Sequence, residues 1–193
     1  MELSSKTEAG SLIIGVLALQ GAFKLHQEML NKLGVETRLV KKEIDLDDLD
    51  AIVIPGGEST VLNKHLDRSG LGEILFKRIN EGLFAFGTCA GLILLAQHKI
   101  LDCEVQRNAY GTQKDSFMAS VNLTPTSEIV KVAFIRAPRI TEVSENVEII
   151  STHEDEIVGV MSDKAIGVTF HNEVTGDDTL HRFFVEHLRA RLI

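Results

Sequence analysis

Residues 83–97, L-F-A-F-G-T-C-A-G-L-I-L-L-A-Q, decide how this chain is read. Leu83–Phe86 is a short apolar run, Gly87-Thr88-Cys89-Ala90-Gly91 interrupts it, and the apolar stretch that follows has helical length. A strand running into a helix through a glycine-flanked cysteine is the shape of a nucleophile elbow, where a sharp turn exposes one reactive side chain. The elbow belongs at the carboxyl end of a strand, which is where ligands bind in open α/β sheets. A thiol there sits at a helix N-terminus, whose dipole and free N–H groups favour negative charge on sulfur. The N–H of Ala90, next after the cysteine, is placed to stabilise an oxyanion. A free cysteine is also often no more than a small buried hydrophobe, and the flanking glycines tip the reading towards chemistry. Cys103 has no such setting and reads as structural.

Outward from the elbow, strand and helix alternate. Residues 12–17 (L-I-I-G-V-L) and 49–54 (L-D-A-I-V-I) are continuous apolar runs, as strands buried on both faces are. Residues 35–40 alternate as a strand. Ala22, His26, Met29, Leu30 and Leu33 share a helical face that Gly34 ends. Residues 60–67 and 71–80 are helical by periodicity, parted by Ser69-Gly70. Such alternation predicts right-handed βαβ units and a parallel sheet covered on both sides. Beyond residue 100 come short β-rich segments, at 103–106, 116–121, 131–136, 147–151, 156–160 and 165–170, and then an amphipathic helix over 177–189. The expected fold is therefore a three-layer α/β/α domain over 12–193, with a mostly parallel central sheet and an antiparallel β addition in its second half. Residues 1–11 read as a flexible extension, lacking both the basic and the apolar region of a secretory signal.

Composition narrows the function. Over 193 residues, 20 basic and 28 acidic side chains leave a net charge of −8, against a nucleic-acid partner, which needs a basic face. No apolar run approaches the roughly 18 to 20 residues that cross a bilayer. Two cysteines make no disulfide framework, so a reducing cytoplasm is expected. The acidic run His153-Glu154-Asp155-Glu156 is most simply a solvated turn, and no metal site is expected.

A cysteine nucleophile in acyl transfer wants a histidine base, and the histidine wants a carboxylate to hold its tautomer. Of seven histidines, His26, His181 and His187 lie in helical patterns and read as surface or packing residues. His65 and His98 lie near helix ends. His171 differs: it follows the apolar run 165–170 at a strand's carboxyl end, with Glu173 two positions on. Cys89, His171 and Glu173 are thus the candidate triad. At the end of another central strand, Pro55-Gly56-Gly57-Glu58-Ser59-Thr60 can turn backbone N–H groups towards a ligand, with Ser59 expected to cap the next helix. By itself this is also an ordinary βα turn.

Together, the G-T-C-A-G elbow, the P-G-G-E-S-T loop and the His-x-Glu pair resemble class I, triad-type glutamine amidotransferases. Within them, I-G-V-L-A-L-Q-G-A-F (14–23), R-N-A-Y-G-x-Q-x-D-S-F (107–117) and F-I-R-A-P (134–138) look like the glutaminase subunits of pyridoxal phosphate synthases. Other cysteine-elbow proteins of flavodoxin-like fold, such as peptidases, would not be expected to carry the last two motifs. The resemblance implies a flavodoxin-like domain that needs no cofactor and hydrolyses L-glutamine to glutamate and ammonia. The ammonia would pass to a (β/α)₈ synthase subunit within a large hetero-oligomer. It implies Cys89 as nucleophile, His171 as base and Glu173 as orienting acid. Gly57, Glu58, Ser59, Arg107, Ile135 and Arg136 would hold glutamine, and the Gly57 and Ala90 amides would form the oxyanion hole. Two features depart from that pattern: Asn172 stands where proline is usual, and the segment between Gln97 and Cys103 is shorter.

Overall fold

The runs that are apolar from end to end become the strands at the centre of the sheet. The computed structural model describes residues 12–107 and 116–192. Its strands β1 (Ile13–Leu17), β3 (Ala51–Ile54), β4 (Phe84–Thr88) and β11 (Ala165–Val168) are buried almost throughout. The alternating run gives β2 (Glu36–Val40), half-exposed at the sheet edge. These five pair in parallel, in the order β2-β1-β3-β4-β11.

Two layers of helix cover them. Helices α1 (Phe23–Lys32) and α5 (Thr179–Arg191) lie on one face, where Leu30, Phe184 and Leu188 pack against Val16, Val53 and Phe86. On the other face α2 (Ser59–Ser69), α3 (Leu71–Asn80) and α4 (Ala90–Gln97) bring Leu62, Leu75 and Leu94 onto Ile52, Ile54 and Ala85. Gly70 separates α2 from α3 with a left-handed φ of 69°, a conformation open to glycine at little cost. Helix α4 is buried from Ala90 to Ala96. It therefore shows no polar face, as expected of a helix enclosed on all sides.

The second half extends the same sheet with antiparallel partners. Strands β10 (Glu156–Met161), β9 (Glu148–His153), β6 (Phe117–Leu123) and β7 (Glu128–Phe134) continue outward from β11. The run 165–170 is not part of that antiparallel set, since β11 completes the parallel half beside β4. A separate ribbon joins β5 (Cys103–Gln106) to β8 (Arg139–Val143). Strand β8 escapes a reading by pattern because only Ile140 among its five residues is buried. The antiparallel part returns to the centre at one point. Beyond the end of β11, His171 exchanges both backbone hydrogen bonds with Ala133 of β7, at 2.9 and 2.8 Å.

The expected extension over 1–11 lies outside the described residues, as does Asn108–Asp115 of the R-N-A-Y-G-x-Q-x-D-S-F motif. Among the described residues, no helix is long and apolar enough to cross a membrane.

Candidate active site

The carboxyl ends of β1, β3, β4 and β11 converge on one cavity of about 360 Å³, within the size range of small-molecule pockets. Cys89, His171, Gly56, Gly57, Glu58, Ser59, Arg107, Ile135 and Arg136 line it, and so does Gln20. All the sequence-derived candidates except Glu173 and Ala90 therefore meet in its lining, from positions as far apart as 57 and 171.

Cys89 stands between β4 and α4 with φ 48° and ψ −102°, a combination that non-glycine residues seldom adopt and that costs of order 1–3 kcal/mol. The strain is carried by the cysteine itself. Its glycine neighbours have another job, which is clearance: a Cβ on Gly91 would lie 2.0 Å from the Ile54 carbonyl oxygen, and one on Gly87 would lie 2.7 Å from the Gly91 carbonyl carbon. They allow α4 to start directly against β3. The Cys89 N–H donates to the Val168 carbonyl at 2.8 Å, which ties the elbow to β11 and hence to His171.

The His171 ring pairs through Nδ1 with Glu173 Oε1 at 2.6 Å, leaving Nε2 as the nitrogen available to the thiol. Glu173 is buried, 3% exposed. Burial works against charge on the imidazole, but hydrogen bonding to Cys89 and Glu173 outweighs it and raises the His171 pKa to about 10. Burial likewise pushes the Glu173 carboxyl up. His26 beside it and the hydrogen bond with His171 win, and hold it well below the usual carboxylate range. The pair is thus built to hold a proton on the imidazole against a carboxylate. Such a site can deprotonate a thiol and later protonate an amine leaving group.

The glycine loop lies against the ring. A Cβ on Gly56 would sit 2.2 Å from His171 Cε1, so only glycine lets the backbone approach so closely. Gly56 N–H donates to Thr88 Oγ1 at 3.0 Å, and its carbonyl accepts from Ala22 N–H at 3.3 Å. Gln20 Oε1 accepts from the Glu58 N–H at 3.2 Å. Ser59 is not the cap of α2. Glu58 is: its carboxylate accepts from the Thr60 and Val61 N–H groups, both at 3.1 Å. Two oxygens satisfy two orphan donors where a hydroxyl could satisfy one, and the charge suits a helix N-terminus. The Thr60 hydrogen bond is the largest of the influences that lower the Glu58 pKa. Ser59 becomes the buried first residue of the helix. Arg107 Nη1 reaches Thr60 Oγ1 at 3.3 Å, and Arg136, with φ 46°, turns back into the cavity from the end of β7.

Pattern reading missed what lies behind Glu173. His26 and His181, expected as surface or packing residues, are both fully buried and hydrogen-bonded to each other, Nδ1 to Nε2, at 2.8 Å. His26 Nε2 lies 3.2 Å from Thr88 Oγ1 and 3.6 Å from Glu173 Oε1. Asn172 Nδ2 lies 2.9 Å from His181 Nδ1. A histidine on the buried face of an amphipathic helix was the only available signal, and it does not distinguish packing from a polar network. The short segment between Gln97 and Cys103 contributes nothing to the cavity lining.

The comparisons with known proteins agree with one another. The SNO glutamine amidotransferase family matches residues 16–190. A protein of Thermotoga petrophila named pyridoxal 5'-phosphate synthase subunit PdxT is 45% identical over 186 residues, spanning 91% of this chain and 99% of its own. One of the same name from Exiguobacterium sibiricum is 40% identical over 188 residues, spanning 93% and 97%. A solved structure described as a glutamine amidotransferase superposes with a TM-score of 0.85 at 39% identity, over 92% of this chain and 98% of that one. At 19% identity and a TM-score of 0.70, over 95% and 96% of the two chains, a putative GMP synthase subunit of Thermoplasma acidophilum shares the fold.

Proposed function

This chain belongs to the SNO glutamine amidotransferase family, and on that premise we propose that it is the glutaminase subunit of a pyridoxal 5'-phosphate synthase, acting through Cys89, His171 and Glu173. The observation that carries the reading is the meeting, in one glycine-lined cavity, of a strained cysteine with a buried histidine–carboxylate pair.

In this mechanism L-glutamine binds with its side-chain amide over Cys89. The sulfur attacks the amide carbon while His171 takes the thiol proton. The Ala90 N–H, at the start of α4, and the Gly57 N–H face the developing oxyanion. His171 then gives its proton to the departing nitrogen, the C–N bond breaks, and ammonia leaves a γ-glutamyl thioester on Cys89. Water attacks that thioester, with His171 as base, and releases glutamate and the thiol. Glu173 keeps Nδ1 protonated and stabilises the imidazolium of both steps. Arg107 and Arg136 supply positive charge for the substrate α-carboxylate, the Ile135 carbonyl is an acceptor for its ammonium, and Glu58 and Ser59 border the same end.

Ammonia goes to a synthase subunit, here a (β/α)₈ barrel in a large hetero-oligomer within a reducing cytoplasm. Docking beside the carboxyl ends of the parallel strands would let it pass without entering solvent. Adjacent glycines make rotation of the Gly56–Gly57 peptide inexpensive, so the partner can switch the oxyanion hole by biasing two loop states a few kcal/mol apart at most. Glutamate release is to be measured against added synthase subunit, for the native chain and for Gly57→Ala. The expected result is a low basal rate that rises with the partner, and a smaller rise in the variant. A free chain already at its maximal rate would rule out the gating and favour a stand-alone hydrolase.

A further inference from the structure

Behind the Glu173 carboxylate, the orientation of every hydrogen in a buried polar chain follows from one fixed acceptor. The Asp177 backbone carbonyl can only accept, and Asn172 Nδ2 lies 3.0 Å from it. That contact identifies the Asn172 nitrogen, since the amide oxygen would face an oxygen there. The same –NH₂ group lies 2.9 Å from His181 Nδ1, which must therefore accept. A neutral imidazole that accepts at Nδ1 carries its hydrogen on Nε2, and His181 Nε2 lies 2.8 Å from His26 Nδ1. His26 in turn accepts at Nδ1 and carries its hydrogen on Nε2, directed at Thr88 Oγ1 (3.2 Å) and Glu173 Oε1 (3.6 Å).

We propose that Asn172, His181 and His26 are positioning residues, a one-way hydrogen-bond chain that presents His26 to Glu173 as a neutral Nε2–H donor and so holds the carboxylate on His171. The inference rests on the assignment of Cys89, His171 and Glu173 given above.

The surroundings support it. His26, His181 and Asn172 are all completely buried. Phe86 meets both rings edge-on, with centroids 6.0 and 5.4 Å away, so neither ring is wetted from that side. Burial is the largest influence on the His181 pKa and brings it down to about 3, in keeping with a neutral ring. Among the described residues Glu173 Oε2 has no hydrogen-bond partner, so the polar contacts of this carboxylate gather on Oε1, which is hydrogen-bonded to His171 and lies 3.6 Å from His26 Nε2. Thr88 extends the chain to the pocket, since its Oγ1 also accepts from the Gly56 N–H of the glycine loop.

The test uses the full chain with ¹⁵N-labelled histidine, together with steady-state glutamate release in the presence of synthase subunit. Ring ¹⁵N shifts and their long-range proton couplings should show both His26 and His181 neutral with hydrogen on Nε2. Asn172→Asp puts an acceptor opposite His181 Nδ1 and should place a proton there. His26→Phe removes the donor and should lower kcat about tenfold with KM within about twofold, far less than the roughly 10⁴-fold lost when the tautomer of the base itself is wrong. His26→Gln, whose amide nitrogen reaches the same position as Nε2, should recover most of that loss. A native chain with hydrogen on His181 Nδ1 overturns the proposal, as does His26→Phe turning over with the native kcat and KM, or His26→Gln recovering none of the loss. The tautomer measurement needs no activity, so a chain that fails to hydrolyse glutamine but shows both Nε2–H tautomers would count against the assigned function and not against the chain of hydrogen bonds.

Discussion

The two sides of the His171 ring are built from different materials. Towards the cavity the ring meets Cys89 and the Gly56 backbone: a strained residue, glycines, and peptide groups. Away from it the ring meets Glu173 and then His26, His181 and Asn172, all side chains and all buried. The open side must admit a substrate and change charge during reaction, so it is made of groups that approach closely and can rotate. The closed side must not move. Polar side chains held in a low-dielectric interior keep a carboxylate in one orientation, provided each has its partner. The difference teaches that reactivity here is placed by backbone and orientation by side chains.

The largest effect belongs to the open side. Cys89→Ala should abolish glutamine hydrolysis while leaving the thermal midpoint near the native value, because the side chain is small and the strain is in the backbone. Turnover near native would end the assignment of the nucleophile. On the closed side, Glu173→Gln keeps the bulk and removes the charge. Turnover should fall by about 10² to 10⁴, with glutamine affinity little changed, and an unchanged kcat would show that another carboxylate serves His171.

A substitution that touches neither charge nor nucleophile sharpens the contrast. Gly91→Ala sets a methyl group 2.0 Å from the Ile54 carbonyl oxygen, so α4 must shift from β3. The cost should be about 1–3 kcal/mol, the usual range for overpacking, and turnover should drop because Cys89 moves with the helix. A denaturation midpoint equal to native would contradict the packing account.

The smallest effect concerns pH. Glu173 is depressed from 4.5 and His171 is raised from 6.5 to about 10. The carboxylate stabilises the fold above 4.5 and loses that contribution as pH falls. The imidazolium contributes fully below 6.5 and loses it as pH rises towards 10. The difference in thermal midpoint between the native chain and Glu173→Gln should therefore be widest between pH 4.5 and 6.5 and shrink on both sides. A difference that stays constant from well below pH 4.5 to well above pH 6.5 would mean that the pair is not ionised.

The open side and Glu173 were legible in the sequence and the histidines and asparagine behind that carboxylate were not, for a physical reason. Gly87, Cys89, Gly91 and the Pro55–Thr60 loop interrupt apolar runs, and punctuation of that kind marks strand ends directly. The parallel half of the sheet followed from the same runs. His26 and His181 are 155 positions apart, and each sits on the apolar face of a helix, where periodicity assigns it to packing. Only the strand order brings α1 and α5 to the same face of the sheet, and with them the two rings into contact. Glu58 caps α2 in place of the expected Ser59, because capping preference favours serine whereas the longer carboxylate reaches two N–H groups. Strand β8 carried too little apolar pattern to be seen.

The central claim is a covalent one, and trapping the intermediate tests it most directly. The native chain, mixed with L-glutamine and synthase subunit and quenched in acid during turnover, is to be digested and the peptide carrying Cys89 weighed. The account predicts that this peptide gains the mass of one γ-glutamyl group, that the Cys103 peptide does not, and that hydroxylamine removes the addition. Glutamate forming at full rate with no acylated Cys89 at any quench time, and forming equally in Cys89→Ala, would contradict it.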